Sequence, residues 1–317
     1  MPLSKPIAIS ENCGPPTRDQ ELKILYRGPL SSCNYDSVYC PCAKQVDSRE
    51  ELEVDRVSLI RFCDWVESQA DNPWPNQISV LFTPWGEGLT RRWYRDALIR
   101  LSNLKHVKKV AIQTNLACGL KWVRDCELES LGLWCTWHPS QISLEKFLAR
   151  CRELDQIGAR YSVGLVGLKE HADQAIEMRA RLSSEIYFWI NAYKREANYY
   201  TQSEIEFWSS IDPLFEVNNK RHPSEGKHCR AGETVISVDG DGNIRRCHFI
   251  KEVIGNIYDS GLESSLRPRK CVNQTCGCHI GYIHLKELKL YDLFGEGVLE
   301  RIPTEKIWDS NLENHLI

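Results

Sequence analysis

The sequence predicts an α/β protein: a partial (β/α)6 TIM-type barrel followed by a small Cys-rich β-hairpin extension. Between about residues 21 and 215, short apolar runs alternate with longer amphipathic segments, a pattern typical of right-handed βαβ units and a parallel sheet. No glycine-rich dinucleotide-binding motif follows the first run. An open barrel of six repeats is therefore favoured, and a flat doubly wound sheet is the alternative.

The runs that we interpret as strands are rich in β-branched and aromatic residues. They are LKILYR (22–27), ISVLF (78–82), KKVAIQT (108–114), GLWCTW (132–137), RYSVGLV (160–166) and IYFWI (186–190). Helical periodicity lies between them, for example in RRWYRDALIRLSNL, SLEKFLARCRELDQI and EHADQAIEMRARLSS. Further on, TVISVDGDGNIRRCHF predicts a β-hairpin with a DG-rich turn. We divide the chain into an N-terminal extension (1–20), the barrel (21–217), a Cys-rich domain (218–290) and a C-terminal tail (291–317).

Composition limits the classes of function that this chain can have. Its 317 residues are enough for a barrel and a small domain, and the formal net charge of -3 argues against non-specific nucleic-acid binding. No run approaches the roughly 18 consecutive apolar residues of a membrane span, and the first residues lack the apolar core of a secretory signal. We therefore expect a cytoplasmic protein with no membrane or nucleic-acid partner.

Cysteine is unusually frequent, with 14 in the chain. In the reducing cytosol, clustered cysteines are more often metal ligands than disulfides. Five cysteines lie inside periodic apolar segments and are predicted core residues: Cys63, Cys118, Cys126, Cys135 and Cys151. Cys13 lies in the N-terminal extension, apart from the others. Two groups remain as candidate metal ligands: Cys33, Cys40 and Cys42 near the start, and Cys229, Cys247, Cys271, Cys276 and Cys278 near the end.

Polar residues follow several of the predicted strands, where barrels of this kind carry their chemistry. The first strand runs into the thiol-bearing loop GPLSSCNYDSVYCPCAK, and the second into Gly86 and Glu87. Thr114 and Asn115 follow the third strand, His138 the fourth, and Glu170 the fifth. Each signal is weak alone, since a GEG sequence also fits an ordinary turn with a solvated glutamate. Four polar strand ends beside a thiol loop together predict a functional site.

These residues resemble the radical S-adenosylmethionine (radical SAM) enzymes, whose signature is C-x3-C-x2-C after the first strand of a partial (β/α)6 barrel. CNYDSVYC fits this spacing with Cys33, Ser37 and Cys40, and Tyr39 is the aromatic residue usual before the last cysteine. The WGEG segment is similar to the family's Gly-Gly-Glu-Pro motif, with departures at its first and last positions. The resemblance covers roughly residues 20 to 290. The loop is most similar to CNYDCxYCPFAK, found in an uncharacterised bacterial group.

The resemblance implies a cofactor pair and a reaction. In the family, three thiolates hold a [4Fe–4S] cluster whose open iron is chelated by S-adenosylmethionine (AdoMet). An electron from the cluster cleaves AdoMet to a 5′-deoxyadenosyl radical, which abstracts a substrate hydrogen. Glu87 and the Gly86 backbone are expected to hold the AdoMet ammonium, Tyr39 to lie against the adenine, and Thr114 and Asn115 to complete the cofactor site. Expected partners are a small-molecule or peptide substrate and an electron donor such as flavodoxin or ferredoxin.

Ser37 departs from the signature, because a serine hydroxyl is a harder and far more basic ligand than a thiolate. Three interpretations remain open. Ser37 is an inactivating change, natural or engineered, in an otherwise intact site; or Cys42, where the bacterial group has Phe, supplies the third thiolate; or Ser37 is a weak oxygen ligand.

The C-terminal cysteines begin with Cys229-x12-Gly242-x4-Cys247, which resembles the opening of the SPASM and twitch extensions of radical SAM enzymes. Those extensions bind auxiliary iron–sulfur clusters. The longer C-x2-C-x5-C-x3-C run of SPASM is absent, so the resemblance implies a shorter, twitch-like extension with one auxiliary [4Fe–4S] cluster. Four thiolates suit a structural zinc ion equally well, and zinc is the alternative.

Two functional hypotheses follow. The first is a radical SAM enzyme with an auxiliary cluster. The second is a non-catalytic relative that keeps the fold and a structural C-terminal iron–sulfur or zinc site. Ser37 favours the second.

Overall fold

A computed structural model gives the structure of the protein and describes residues 21–40 and 45–308. The strands are β1 Leu22–Arg27, β2 Ile78–Phe82, β3 Val107–Thr114, β4 Leu131–Thr136, β5 Tyr161–Gly167, β6 Phe188–Ala192, β7 His222–Pro223, β8 His228–Cys229, β9 Val235–Asp239, β10 Asn243–Arg245, β11 Val253–Asn256, β12 Arg269–Lys270 and β13 Thr275–Cys276. The α-helices are α1 Arg49–Ser68, α2 Arg92–Ser102, α3 Leu144–Ile157, α4 Ala172–Arg181, α5 Gln202–Ile211, α6 Phe215–Asn219, α7 Leu262–Ser265, α8 His279–Tyr282 and α9 Leu290–Phe294. Short 3-10 helices span Gly88–Thr90, Lys121–Asp125, Lys169–His171, Lys286–Leu288 and Gly295–Gly297.

Strands β1 to β6 lie side by side in chain order, and every neighbouring pair is parallel. All six predicted strands are present, with ends shifted by two residues at most. Right-handed crossovers between sequential strands place the connecting helices on one face of the sheet, as in a barrel. The sheet does not close: β6 forms one edge and β11 the other. The strand order excludes the doubly wound alternative, whose order reverses within the sheet.

The predicted hairpin segment continues this main sheet. Strand β9 pairs in parallel with β1, and β10 and β11 follow in antiparallel order. Gly242 forms the turn between β9 and β10, with a φ of 84° that favours glycine, and its N–H donates to the Asp239 carbonyl at 3.0 Å. Strand β1 is therefore an interior strand of the main sheet, which has nine strands among the described residues.

Both faces of the six parallel strands are buried, as expected for a parallel sheet. The outer face packs against the helices through residues such as Ile24, Phe82, Ile112, Val163, Leu59, Phe62, Phe147 and Met178. The five cysteines predicted to be core residues belong to this layer, which confirms that prediction. Within the described ranges, no helix is long and apolar enough to cross a membrane.

The inner, concave face is covered by the C-terminal part of the chain. Leu25, Leu81, Ala111, Trp134 and Trp189 from the strands pack against Ile280, Ile283, Leu290, Phe294, Val298 and Leu299. This segment of residues 280–299 therefore fills the space that an open barrel would otherwise leave to water.

Two charged residues follow that segment and are almost completely buried. The Glu300 carboxylate lies 3.3 Å from the Lys109 ammonium and 3.3 Å from the Arg160 guanidinium. Arg301 lies over the Trp189 ring, with its Cζ 4.5 Å from the ring centroid. A buried charge must be paired to be tolerated, and these contacts provide the pairing for Glu300.

Gly164 of β5 has no room for a side chain. A Cβ at this position would lie 2.0 Å from the Trp189 Cδ2 and 2.3 Å from the Trp189 carbonyl oxygen. We therefore expect Gly164→Ala to lower the free energy of unfolding by about 3 kcal/mol, measured by urea denaturation. Gly119→Ala is the matched control, because nothing lies within 4 Å of the point that its Cβ would occupy and its φ is unexceptional. Equal stability of the two variants would contradict the packing described.

Candidate functional site

The loop after β1 is held at its base by two aspartates. The Asp47 carboxylate accepts hydrogen bonds from the Ser31 N–H at 2.9 Å and the Ser32 N–H at 2.9 Å. The Asp55 carboxylate, buried at 0 % exposure, accepts the Leu30 N–H at 3.1 Å. These bonds satisfy loop N–H groups that no neighbouring strand reaches, and they fix where the cysteine-bearing segment begins.

Gly86 lets the end of β2 approach this loop. A Cβ at Gly86 would lie 1.9 Å from the Ser32 carbonyl oxygen. The Gly86 N–H donates to the Leu30 carbonyl at 3.2 Å, and the Glu87 N–H to the Ser32 carbonyl at 3.1 Å. The glycine thus serves close packing between two backbone segments, and the predicted contact between its backbone and a cofactor stays a prediction.

Glu87 is the point where three strand ends meet. Its carboxylate accepts the Thr114 hydroxyl at 2.7 Å, the Asn115 N–H at 2.6 Å and the Leu89 N–H at 3.0 Å. The Asn115 side chain in turn donates to the Asn34 Oδ1 at 3.0 Å, which connects β3 to the cysteine loop. Burial raises the pKa of Glu87 to about 6, although the three hydrogen bonds act in the opposite direction. The predicted cofactor residues Gly86, Glu87, Thr114 and Asn115 therefore lie together.

Two thiols of the cysteine loop are partly accessible. Cys33 and Cys40 are both half-buried, and the Tyr35 N–H donates to the Cys33 Sγ at 3.5 Å. Burial raises the pKa of the Cys33 thiol, and the negative charges of Glu87 and Cys40 add to the effect. Cys42, the third predicted thiol of this group, lies outside the described residues.

Ser37 and Tyr39 converge on one histidine. The Ser37 Oγ lies 3.2 Å and the Tyr39 hydroxyl 2.9 Å from the His138 Nδ1, at the end of β4. The Tyr39 and His138 rings stack at an interplanar angle of 10°. Burial lowers the pKa of His138 to about 4, with a smaller effect from His171, so the imidazole is neutral at pH 7. Ser37 is 2 % exposed, and its hydroxyl is occupied by this contact.

The five C-terminal cysteines share one cavity of about 600 Å³ at the C-terminal ends of the parallel strands. Its lining includes Cys229, Cys247, Cys271, Cys276 and Cys278 together with Tyr39, Cys40 and His138. The structure therefore brings part of the first cysteine group and all of the second group to one space. Sequence spacing alone does not reveal this proximity.

Short strand pairs position these thiols. Strand β8 pairs with β12, so Cys229 lies opposite Arg269, which precedes Cys271 by two residues in the chain. Strand β13 pairs with β7, which places Cys276 opposite His222. Cys229 lies on β8, before the hairpin formed by β9 and β10.

Burial in this cavity weakens the acidity of two of its thiols. Burial raises the pKa of Cys247 to about 11 and that of Cys276 to about 12, and repulsion between neighbouring thiolates adds to both shifts. The positive charge of Arg246 acts in the opposite direction on Cys247. A bound metal would deprotonate such thiols on binding. Among residues 21–40 and 45–308, no three His, Cys, Asp or Glu side chains are arranged to hold a single metal ion.

Lys194, after β6, is a site residue that the sequence did not indicate. Its ammonium donates to the Gly277 carbonyl at 2.5 Å and to the Asn218 carbonyl. Burial lowers the pKa of Lys194 to about 8. Gly277 lies between two of the cavity cysteines, Cys276 and Cys278. The hydrogen bond from Lys194 therefore links this cysteine-bearing segment, called the thiol segment below, to the end of the sheet. A lone lysine after an apolar strand carries no sequence signal for this role.

Comparisons with known proteins support the fold. No protein-family model and no curated protein matches this sequence. Among solved structures, the chain is similar to native anSMEcpe with bound AdoMet and Cp18Cys peptide, with a TM-score of 0.50 and 14% identity over 77% of this chain and 79% of that chain. It is also similar to native anSMEcpe with bound AdoMet (TM-score 0.49, 15% identity, 76% and 80% covered) and to Streptococcus suis SuiB (TM-score 0.47, 14% identity, 78% and 65% covered).

These neighbours are radical SAM enzymes. The likeness to the first structure shows that this chain shares its fold.

The burial of Glu87 has a consequence for stability. Its folded-state pKa of about 6 lies above the ordinary value of 4.5, so the folded protein binds the proton more tightly than the unfolded chain. The contribution of Glu87 to stability therefore falls as pH rises from about 4.5 to about 6, by about 2 kcal/mol in total. In urea unfolding at a series of pH values, Glu87→Gln should lack this fall.

Glu216→Gln, at an exposed position of α6, is the control and should keep the wild-type pH profile. A Glu87→Gln profile parallel to the wild type would show that Glu87 is not the titrating group.

Proposed function

We propose that this protein is a radical SAM enzyme that abstracts hydrogen from a small-molecule or peptide substrate. One observation carries the proposal: on a radical SAM fold, a buried carboxylate, Glu87, is fixed at the strand ends near the half-buried Cys33 thiol. Both features lie where barrels of this kind carry their chemistry.

The surroundings of Glu87 fit the ammonium group of AdoMet. A carboxylate has about four lone-pair sites, and Thr114, Asn115 and Leu89 already donate to its two oxygens. These donors set the direction of the carboxylate before any ligand binds. A charge-assisted hydrogen bond from the AdoMet ammonium would favour the ionised carboxylate and offset the effect of burial on its pKa.

The cysteine loop fits a [4Fe–4S] cluster only in part among the described residues. Cys33 and Cys40 can each supply a thiolate, whereas the Ser37 hydroxyl is buried and hydrogen-bonded to His138. We propose that Cys42 is the third ligand and that Ser37 serves His138 instead. Such a cluster supplies, when bound, the electron that cleaves AdoMet. The chain itself holds the loop at its base and excludes water around Glu87.

A second candidate function has its own observation. Ser37 and Tyr39 both contact His138. The Ser37 hydroxyl is therefore engaged by another protein group at the position where the signature has its middle cysteine. A chain without a third ligand would then be a non-catalytic radical SAM relative. It would keep only a structural iron–sulfur or zinc site at the C-terminal cysteines.

We further propose that four of the five C-terminal thiols hold an auxiliary [4Fe–4S] cluster in a twitch-like extension. The thiols line one cavity, and Lys194 and Arg246 place positive charge beside them. Positive groups near a cluster stabilise its anionic thiolate ligands. A single zinc ion bound by the same thiols is the competing occupant.

The third ligand can be identified by cysteine exchange. After anaerobic reconstitution, the wild type should contain about eight irons per chain and form 5′-deoxyadenosine from AdoMet with dithionite. Cys42→Ser should lose about four irons and the product, and Cys42→Ser with Ser37→Cys should regain both. Cys126→Ala, at a buried position in the helical layer, is the control and should match the wild type.

A Cys42→Ser variant with wild-type iron content would exclude Cys42 as a ligand. A wild type with about four irons and no product, in which Ser37→Cys restores both, would establish the non-catalytic alternative.

The occupant of the C-terminal thiols can be tested separately. Cys276→Ala combined with Cys278→Ala leaves only three of the five thiols, fewer than the four proposed ligands, so this double variant should lose about four irons per chain while zinc stays absent. Metal analysis by mass spectrometry measures both elements. About one zinc per wild-type chain, lost in this variant without any change in iron, would contradict the auxiliary cluster.

A further inference from the structure

The cavity that contains the C-terminal thiols has a one-sided charge. Its described lining includes four cationic side chains, Lys194, Arg195, Arg221 and Arg246, and no aspartate or glutamate. The whole chain has a formal net charge of -3, so this concentration of positive charge is local. A concave site lined by charges of one sign raises the local concentration of ligands of the opposite sign.

Two of the four cations are already engaged by the protein. The Lys194 ammonium donates to the carbonyls of Gly277 and Asn218. The Arg246 guanidinium donates to the Lys270 carbonyl at 2.8 Å, and its charge opposes the rise that burial causes in the pKa of Cys247. Their hydrogen bonds and charges are therefore directed at the thiol segment and the residues next to it.

The other two cations have free hydrogen-bonding capacity. Arg221 donates one hydrogen bond, to the Lys194 carbonyl at 2.8 Å, and its Cγ would lie 3.3 Å from a Cβ on Gly277. Arg195 makes no hydrogen bond or ion pair within the described chain, and neither arginine pairs with the adjacent Glu196 there. Both side chains are exposed and line the cavity. A guanidinium has five N–H donors, so nine of their ten donors have no protein acceptor among the described residues.

We propose that the substrate carries an oxyanion, a carboxylate or a phosphate, which Arg195 and Arg221 bind at the mouth of the thiol cavity. The inference rests on the proposed radical SAM function, because it assigns the cavity to that reaction's substrate. Planar guanidinium groups match both oxyanions through paired hydrogen bonds. Arg221 is already oriented by its bond to the Lys194 carbonyl, which lowers the entropy cost of binding. Cationic substrates are disfavoured by the same four charges.

Two matched pairs of probes distinguish the sources of the oxyanion. The carboxylate arm compares N-acetyl-glutamyl-glutamic acid amide with its glutaminyl counterpart, and the phosphate arm compares glycerol 3-phosphate with glycerol. Calorimetric titration into the reconstituted full-length protein should show binding of one anionic probe and of neither neutral analogue. Arg195→Gln and Arg221→Gln should each weaken that binding by about tenfold or more.

Arg267→Gln is the control, since Arg267 is an exposed arginine that does not line the cavity. Binding that is unchanged in Arg195→Gln and Arg221→Gln, or no binding of either anion, would overturn the inference.

Binding is measured without reductant or AdoMet, so a protein that forms no 5′-deoxyadenosine can still pass this test. Iron content is the second measurement: iron loss in the arginine variants with probe binding retained would assign these charges to a cluster and contradict the proposal.

Discussion

The concave face of an open parallel sheet must be covered, and the rest of this structure depends on how that is done. Strand residues such as Trp134 and Trp189 present a large apolar surface, which is buried only because residues 280–299 pack into it. Removing this much apolar area from water is the dominant favourable term available to the fold. Gly164 makes room for Trp189, and Glu300 is paired inside the same layer.

The same packing positions the chemistry. The segment that fills the sheet begins at α8, directly after Cys278, so anchoring it in the core holds the last cysteines above the strand ends. The Asn218 side chain strengthens this arrangement by donating to the Tyr282 hydroxyl at 2.8 Å and accepting the Ala192 N–H at 2.6 Å. The thiol cavity is thus a consequence of core packing, and it does not depend on the hairpin alone.

Local sequence patterns predicted the local features well. Apolar runs and helical periodicity predicted the six parallel strands and their order. The polar residues that follow these strands predicted that Glu87, Thr114 and Asn115 lie close together, as they do. Long-range features could not be read in this way. The pairing of β9 with β1 and the contact of Ser37 with His138 join residues about 100 or more positions apart, and periodicity carries no information about such contacts. Lys194 was missed for the same reason, because its partners lie in distant loops.

The division of roles between two cysteine groups is the central feature of the proposed enzyme. Cys33 lies near Glu87, where we propose that AdoMet binds, whereas the C-terminal thiols line the cavity that carries the cationic side chains, and Cys40 lines that cavity as well. The most direct test is low-temperature electron paramagnetic resonance of the dithionite-reduced, reconstituted protein, recorded with and without AdoMet. We predict a reduced-cluster signal that changes on addition of AdoMet in the wild type and does not change in Glu87→Gln. A signal insensitive to AdoMet in the wild type would contradict a radical SAM site at these strand ends.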